Sequence, residues 1–190
     1  MRTLALIFVI ASPMVSMGQH QLGEMRSILG RKTLVRIANT LSEGEPIFYV
    51  FQRQCDDLFL TEESDSCEHR NFEDVVFVPE QKTAQARMIV FDNCGKVSDT
   101  VTSCSALKFY QKRKDAIRSG VIVYNVMISH TCIYRFVEVN NSEIVTHLEL
   151  LPEAIERDPN EENRVRQMQT MTWKFFFLLW DEINSINKSP

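Results

Sequence analysis

The spacing of apolar residues divides the chain into a helical beginning, a strand-rich middle and a helical end. Residues 22–41 carry apolar side chains at intervals of three and four, which predicts one or two short helices interrupted at Gly30. After Pro46 the pattern changes to short aromatic and β-branched runs, the residue types that sheets favour. We therefore predict a mostly β domain with an N-terminal helical segment and a C-terminal helix.

Eight strands are predicted in the middle of the chain. They cover residues 47–51, 72–78, 84–91, 97–102, 106–111, 121–128, 132–139 and 144–151. Asn93-Cys94-Gly95-Lys96 predicts a hairpin turn, and so does Asn140-Asn141-Ser142. Because no helical period separates the strands, we expect antiparallel neighbours, and eight of these can close into a barrel without an open edge.

The last segment predicts a helix that packs outside the barrel. Asp158 is the expected cap, Pro159 the first helical position, and Glu161 the third residue after the cap. Its apolar stripe contains Val165, Met168, Thr172, Phe175, Leu179 and Ile186, widened by Trp173, Phe176, Phe177 and Trp180. A helix at a membrane surface or against a partner is the alternative.

The first 18 residues indicate secretion. Arg2 precedes an apolar run over residues 4–11, and Ser16 and Gly18 provide small residues before a cleavage site that we place after Gly18. Residues 19–190 then form one domain, extracellular and expected to be a monomer. The formal net charge is −4, which argues against nucleic acid as a partner, and no apolar run after the leader is long enough to span a bilayer.

The cysteines and sequons fit an extracellular protein. The disulfide candidates are Cys55, Cys67, Cys94, Cys104 and Cys132. In an oxidising compartment we expect two bridges and one leftover thiol, with the connectivity left open. No zinc-type spacing occurs, so no metal site is predicted. Asn140 and Asn187 begin Asn-x-Ser triplets and are the candidate glycosylation sites.

Sequence signatures of enzymes are missing. We find no nucleophile elbow, zinc-protease, P-loop or dinucleotide-binding motif, so we expect a protein that is not an enzyme and has no cofactor. A Cys–His nucleophile pair at His130 and Cys132 is the catalytic alternative. We interpret these two instead as a turn histidine and a structural cysteine.

The order of elements resembles the tick salivary lipocalins, the family named for its histamine-binding members. The local likeness lies in residues 121–127, 132–136 and 147–150, with residues 47–53 similar to that family's first strand and Cys67 to the cysteine that opens its second. Leu148 and Leu151 replace a cysteine and a tryptophan of the family pattern. No cysteine follows Cys132, so that residue lacks its usual partner. The resemblance then implies that Cys55 or Cys67 joins one of Cys94 and Cys104.

A closed barrel of this size can hold one small ligand. A cationic amine needs a carboxylate and an aromatic face. Alternation places Tyr134, Phe136 and Glu138 on one face of their strand, and Glu149 beside His147 on the next. The candidate ligand-binding residues are Tyr49, Phe51, Tyr124, Tyr134, Phe136, Glu138 and Glu149. The simpler interpretation is that these are core aromatics and surface acids.

Three functions follow from these patterns. The resemblance implies a secreted protein that sequesters a host mediator, histamine or another biogenic amine such as serotonin, and so damps inflammation. A mostly apolar lumen would suit a lipid mediator instead, such as a fatty acid, an eicosanoid or a sterol. The third possibility is an interaction protein with a filled barrel, which binds a host protein through its loops or its aromatic C-terminal helix.

Overall fold

The computed structural model describes residues 19–41, 46–55, 72–80, 85–92, 94–120, 122, 124 and 132–187. Six strands form one open antiparallel sheet, and helices lie on both of its faces. The elements in chain order are α1 (Gln19–Thr40), β1 (Ile47–Cys55), β2 (Phe72–Pro79), β3 (Ala86–Asp92), β4 (Gly95–Thr102), α2 (Ser105–Arg118), β5 (Cys132–Asn140), β6 (Glu143–Leu150), α3 (Pro152–Glu156), α4 (Glu161–Met168) and α5 (Met171–Asn187).

The strands lie in the order β4-β3-β2-β1-β5-β6. The first four are sequential antiparallel neighbours, and β5 pairs with the other side of β1 from Ile47↔Asn140 to Cys55↔Cys132. Asn141 and Ser142 both have positive φ in the tight turn to β6, which confirms the hairpin predicted there. The predicted hairpin after β3 is confirmed by the pairing of Asp92 with Gly95.

Two hydrophobic cores lie on opposite faces of the sheet. Met25, Leu29, Leu34 and Ile37 of α1 cover one face, where they join alternate side chains of the central strands. The other face is covered by α2, α3 and α5, and its core contains, among the described residues, seven aromatic side chains with at most 4% of their surface exposed. Burying one such aromatic or aliphatic side chain stabilises the fold by roughly 1.5–3 kcal/mol. Because both faces of the sheet are covered, the central strands consist of nearly unbroken runs of apolar residues.

The sheet is open in the described residues, not closed into the predicted eight-stranded barrel. It ends at β4 on one side and at β6 on the other. Residues 106–111, predicted as a strand, belong to α2. The apolar positions of this six-residue window, 106, 107, 109 and 110, already have helical spacing, and the whole segment buries Leu107, Tyr110 and Ile117 at helical intervals. Of the predicted strand 121–128, only residues 122 and 124 lie among the described residues.

The C-terminal segment contains three helices: α3 precedes the predicted helix, and α4 and α5 form in place of that helix. Asn160, not Asp158, caps α4 by accepting a hydrogen bond from the Asn163 N–H at 3.0 Å. Asp158 instead accepts from the Asn160 N–H at 2.9 Å. Thr170 interrupts the helix because its hydroxyl accepts from the Trp173 N–H at 3.1 Å and so begins α5 anew. Of the helices described here, none combines the length and the apolar character needed to cross a bilayer.

Side chains of α5 hold α2 at both of its ends. Cys104 offers no side-chain cap to α2, and the Glu182 carboxylate accepts instead from the N–H groups of Ser105 and Ala106, at 3.0 and 2.9 Å. A carboxylate at this position also complements the positive end of the helix dipole. At the other end the Thr172 hydroxyl donates to the Ile117 carbonyl at 2.7 Å. The two helices therefore cover the sheet as one unit.

On the face of the sheet opposite α2 and α5, a kink in α1 lets side chains of the sheet bind the helix backbone. Gly30 has φ 77° and ψ 162°, a conformation that is essentially restricted to glycine. The kink leaves the preceding carbonyls available to the sheet. The Arg135 guanidinium donates to the Ile28 carbonyl at 2.8 Å, and the Gln52 amide donates to the Leu29 carbonyl at 3.2 Å. Gly30 thus allows two buried or half-buried sheet side chains to bind the helix backbone.

Gly30→Ala should lower the free energy of unfolding by about 1–3 kcal/mol, because a Cβ is strained at this backbone conformation. Gly23→Ala is the matched control, since Gly23 lies in the same helix with ordinary φ and open space around it. That change should stabilise the protein by about 0.5–1 kcal/mol through helix propensity. Urea unfolding of both variants measures the difference, and equal effects would contradict the proposed role of the kink.

Candidate functional site

The pairing of β1 with β5 brings five of the predicted ligand residues to one face of the sheet. Tyr49 lies opposite Glu138, and Phe51 lies opposite Phe136. Tyr134 is on the same face, two residues before Phe136. The side chains that the sequence placed on common faces are therefore neighbours in the fold. The shared face is the one that α2 and α5 cover.

Aromatic rings fill the space between this face and the helices. The Phe136 ring centroid lies 4.9 Å from that of Tyr110 on α2 and 4.7 Å from that of Phe175 on α5. Tyr49 stacks on Phe136 with centroids 5.7 Å apart. The aromatic cluster consists of Tyr49, Phe51, Tyr110, Phe136, Phe175 and Phe176, each with at most 4% of its surface exposed. Its edge-to-face and stacked contacts are those of a packed core.

Glu138 lies at the edge of the aromatic cluster and is fully engaged within the chain. Its carboxylate accepts hydrogen bonds from the hydroxyls of Tyr110 and Thr146, at 2.7 and 3.1 Å. The Lys114 ammonium lies 2.8 Å from Oε1 and 2.7 Å from Oε2. Because only 8% of the Glu138 side chain is exposed, these partners replace the water that the carboxylate loses on folding. We call these four residues the Glu138 network.

The Glu138 network has the chemistry that was predicted for an amine site. The Lys114 ammonium lies 5.9 Å from the Tyr110 ring centroid while it pairs with the Glu138 carboxylate. A carboxylate and an aromatic face thus receive a primary amine, but that amine belongs to α2. Neither Tyr110 nor Lys114 was among the candidates, because residues 106–111 were predicted as a strand and residues 112–118 fell between two predicted strands. The helical spacing of Tyr110 and Lys114 was the signal that could have found them.

The hydroxyls of Tyr110 in the Glu138 network and of the neighbouring Tyr49 remain protonated. Burial raises the pKa of Tyr110, and the neighbouring Glu138 carboxylate raises it further. Burial also raises the pKa of Tyr49. The Tyr110 hydroxyl therefore keeps the proton that it donates to Glu138.

Tyr134 lies at the end of the shared face, and the two remaining predicted ligand residues, Tyr124 and Glu149, lie elsewhere. The Tyr134 ring stacks on Trp180 of α5 with centroids 5.0 Å apart. The Tyr124 hydroxyl accepts from the Leu151 N–H at 3.0 Å. Glu149 is on the other face of the sheet, where its Oε1 lies 2.7 Å from Arg135 and 3.2 Å from His147. Glu149 therefore does not join Glu138, although it shares a face with His147 as predicted.

One disulfide was not among the pairings that the resemblance implied, and the implied bridge from Cys67 to Cys94 stays a prediction. Cys55 and Cys132 are bonded to each other at directly opposed positions of β1 and β5, with their Cα atoms 3.9 Å apart. Cys94 is also disulfide-bonded, and Cys67 lies outside the described residues. Since Cys55 ends β1 and Cys132 begins β5, the end-to-end antiparallel pairing of those strands is what joins them. The bridge closes a loop of 77 residues, which in the chain-entropy model contributes about 4 kcal/mol.

Neither Cys132 nor Cys104 is available as a nucleophile. Cys132 is oxidised in its disulfide, which rules out the Cys–His pair considered with His130, a residue outside the described part of the chain. Cys104 is a free, buried thiol, and burial raises its pKa to about 12. Within the described residues, no group of three His, Cys, Asp or Glu side chains is placed to hold a metal ion.

The glycosylation candidates lie at ends of elements. Asn140 is the last residue of β5 and is partly exposed, and Asn187 is the last residue of α5. Both remain predictions.

Comparisons with known proteins returned nothing similar: no family model, no curated protein and no solved structure matches the chain. The likeness to tick salivary lipocalins therefore stays a hypothesis about its origin.

A peptide map of the oxidised protein should recover Cys55 linked to Cys132 and Cys104 as a free thiol. In the native protein Cys104 should resist iodoacetamide at pH 8, because it is buried and its pKa is about 12. The same thiol should react in 6 M guanidinium, about the concentration that unfolds even hyperstable domains. Mass spectrometry reads both results, and a bridge from Cys55 or Cys67 to Cys104 would contradict them.

Lys114→Met should destabilise the protein by about 1–3 kcal/mol, because it leaves a buried carboxylate without its cation. Adding Glu138→Gln should recover part of that loss, with a coupling free energy of about 1 kcal/mol or more. Lys112→Met, on an exposed position of the same helix, should change the stability by less than about 0.5 kcal/mol. Urea unfolding of the unmodified protein, Lys114→Met, Glu138→Gln and the double variant gives the cycle. Additive effects of the two single substitutions would show that the pair contributes nothing to stability.

Proposed function

We propose that the protein acts outside the cell as an interaction domain, which offers a rigid surface to a partner protein. The observation that carries this proposal is the filling of the face that was expected to enclose a ligand. The aromatic cluster occupies the layer between the sheet and the helices, and the Glu138 network satisfies the buried carboxylate of Glu138 at its edge. Groups engaged in this way serve the fold.

Admitting a small molecule to this face would require α2 to move. A ligand of drug size needs a pocket of about 300–1,000 Å³. Opening one here would break the Lys114–Glu138 pair, the Tyr110–Phe136 ring contact and the capping of α2 by Glu182. Each loss costs about 1 kcal/mol or more, and a ligand would have to repay all of them. Binding on the outer surface carries no such cost.

The disulfides support an extracellular location. Disulfides persist in oxidising compartments and are rare where thiols are kept reduced. Cys55–Cys132 joins two central strands, and Cys94 takes part in a further bond. Together with the leader-like pattern of residues 1–18, which lie outside the described residues, this favours secretion.

The amine-binding function is the second candidate, and one observation favours it. The Lys114 ammonium pairs with the Glu138 carboxylate and lies near the Tyr110 ring, as the ammonium of a bound amine would. If α2 opens, histamine or serotonin could replace that ammonium, as the resemblance to the tick salivary lipocalins implies. A lipid mediator in the same apolar layer is the third.

Calorimetric titration of the intact protein distinguishes these candidates. With histamine, serotonin and an arachidonate-derived lipid we expect no heat of binding, because the face is closed and its carboxylate is paired. Lys114→Met should also remain silent, whereas the amine candidate expects it to gain affinity for histamine and Lys112→Met to gain none. Micromolar binding of any of the three compounds to the unmodified protein would contradict the proposed function.

A further inference from the structure

Helix α2 carries the densest run of cationic side chains in the chain. Five of the eleven residues 108–118 are Lys or Arg, and Asp115 is the one acid among them. The whole chain has the opposite balance, with 21 Lys and Arg against 25 Asp and Glu. At a rise of about 1.5 Å per residue, the run extends over about 15 Å of the helix. It is therefore a local cationic surface on a protein with a formal net charge of −4.

Most of these cations have no carboxylate partner within the described residues. Lys114 pairs with Glu138 in the network described above. The Lys108 ammonium donates to the Ser103 hydroxyl at 2.8 Å, and the Arg118 guanidinium donates to a main-chain carbonyl of β6 at 3.2 Å. Both of these acceptors are neutral, so Lys108 and Arg118 keep their full charge.

The two cations in the middle of the run are exposed and unpaired. Lys112 and Arg113 make no ion pair and no side-chain hydrogen bond in the part of the chain that the structure describes. The Asp115 carboxylate lies three residues after Lys112 but is exposed and pairs with neither cation. Four cations without an ion pair therefore stand against one carboxylate on this helix.

The exposed side of α2 is polar throughout. The helix buries Leu107, Tyr110 and Ile117 against the sheet. Its exposed positions from 111 to 119 carry Gln, Lys, Arg, Asp, Ala, Arg and Ser. A helix that lies in a membrane interface needs an apolar face to insert, and the centre of a protein interface is enriched in aromatic residues. The exposed side of α2 offers neither, so charge is what it presents to a partner.

Contacts with the rest of the fold hold this helix in place. Glu182 caps its first turn, Thr172 binds its last turn, and Lys114 joins its middle to the sheet. The backbone of α2 therefore needs no ordering when a partner binds, and the entropic cost is confined to the cationic side chains.

We propose that the exposed side of α2 binds a sulfated polysaccharide of the glycosaminoglycan class. Its cations are Lys108, Lys112, Arg113 and Arg118, which we call the α2 cationic surface. A polysaccharide with repeated sulfate groups presents a row of anions along such a surface, and segments rich in Lys and Arg are typical of heparin-binding sites. Arg113 can donate two parallel hydrogen bonds to one oxyanion, whereas a lysine ammonium binds as a point charge.

Among polyanions, the extracellular location favours a sulfated polysaccharide over nucleic acid. Proteins that bind single-stranded nucleic acid combine cations with aromatic side chains that stack on the bases. The exposed positions of α2 carry no aromatic side chain. The inference goes beyond the partner protein proposed above, and it shares with that proposal only the location outside the cell.

A labelled heparin octasaccharide tests the proposal with the unmodified protein. The comparison probes are the chemically desulfated octasaccharide and a DNA oligonucleotide of equal charge. In fluorescence anisotropy at low ionic strength, heparin should bind at least about tenfold more tightly than either, a difference of about 1.4 kcal/mol. The affinity should fall as salt is added, because exposed charges are screened. Vesicles of phosphatidylserine should not sediment with the protein.

Two double variants with the same change in net charge locate the site. Lys112→Glu/Arg113→Glu should weaken heparin binding about tenfold or more, because it reverses the two unpaired cations in the middle of the surface. Arg31→Glu/Lys174→Glu changes exposed positions of α1 and α5, and it should weaken binding less than about twofold. Thermal unfolding of both double variants confirms that the fold is intact.

Three results would overturn the inference: no binding of heparin, equal binding of the sulfated and desulfated sugars, or equal losses of affinity in the two double variants. DNA or phosphatidylserine vesicles that bind as tightly as heparin would also overturn it, in favour of a nucleic acid or a membrane as the partner. The first two results come from the unmodified protein, so they decide the inference even if a double variant fails to fold.

Discussion

Burial of β1 on both faces is the constraint on which the other layers depend. The strand lies in the middle of the sheet, with β2 on one side and β5 on the other, and residues 48–52 are all buried. Because alternate side chains point to opposite faces, apolar groups on both sides must be covered. Helix α1 covers one face, and α2 with α5 covers the other. A hollow chamber on either side would leave part of this strand without its packing.

Each face also buries a charged group, and each group is satisfied by a different helix. Beneath α1, the Asp74 carboxylate accepts from Thr33 at 3.0 Å and from Arg36 at 2.5 Å. On the other face, Glu138 binds Lys114 and Tyr110 of α2. A buried polar group without a partner is costly, so these contacts specify how each helix docks. Interior polar chemistry here serves the docking of helices.

Much of the middle of the chain was predictable because its strands follow local rules. Five of the six strands overlap predicted ones closely, and the Asn-rich turn before β6 was expected from residue types that accept positive φ. Two predictions were wrong for separate reasons. Residues 106–111 were predicted as a strand, although their apolar positions, 106, 107, 109 and 110, have the helical spacing of the fourteen-residue α2 to which they belong. The cap at Asn160 was missed because Asp158 and Asn160 are both good capping residues two positions apart.

The sequence by itself determined which side chains share a face, since alternation along a strand needs no knowledge of its neighbours. It placed Tyr134, Phe136 and Glu138 together on one strand and Glu149 beside His147 on the next. Joining Glu149 to Glu138 in one ligand site was wrong, because the pairing of β5 with β6 sets Glu149 opposite Arg135 on the other face. Only the tertiary structure decided what covers the face that carries Glu138. Glu138 pairs with Lys114, 24 residues away in the sequence, and Cys55 is bonded to Cys132, 77 residues away in the sequence. Such contacts depend on how strands and helices are ordered in space, which local periodicity does not encode.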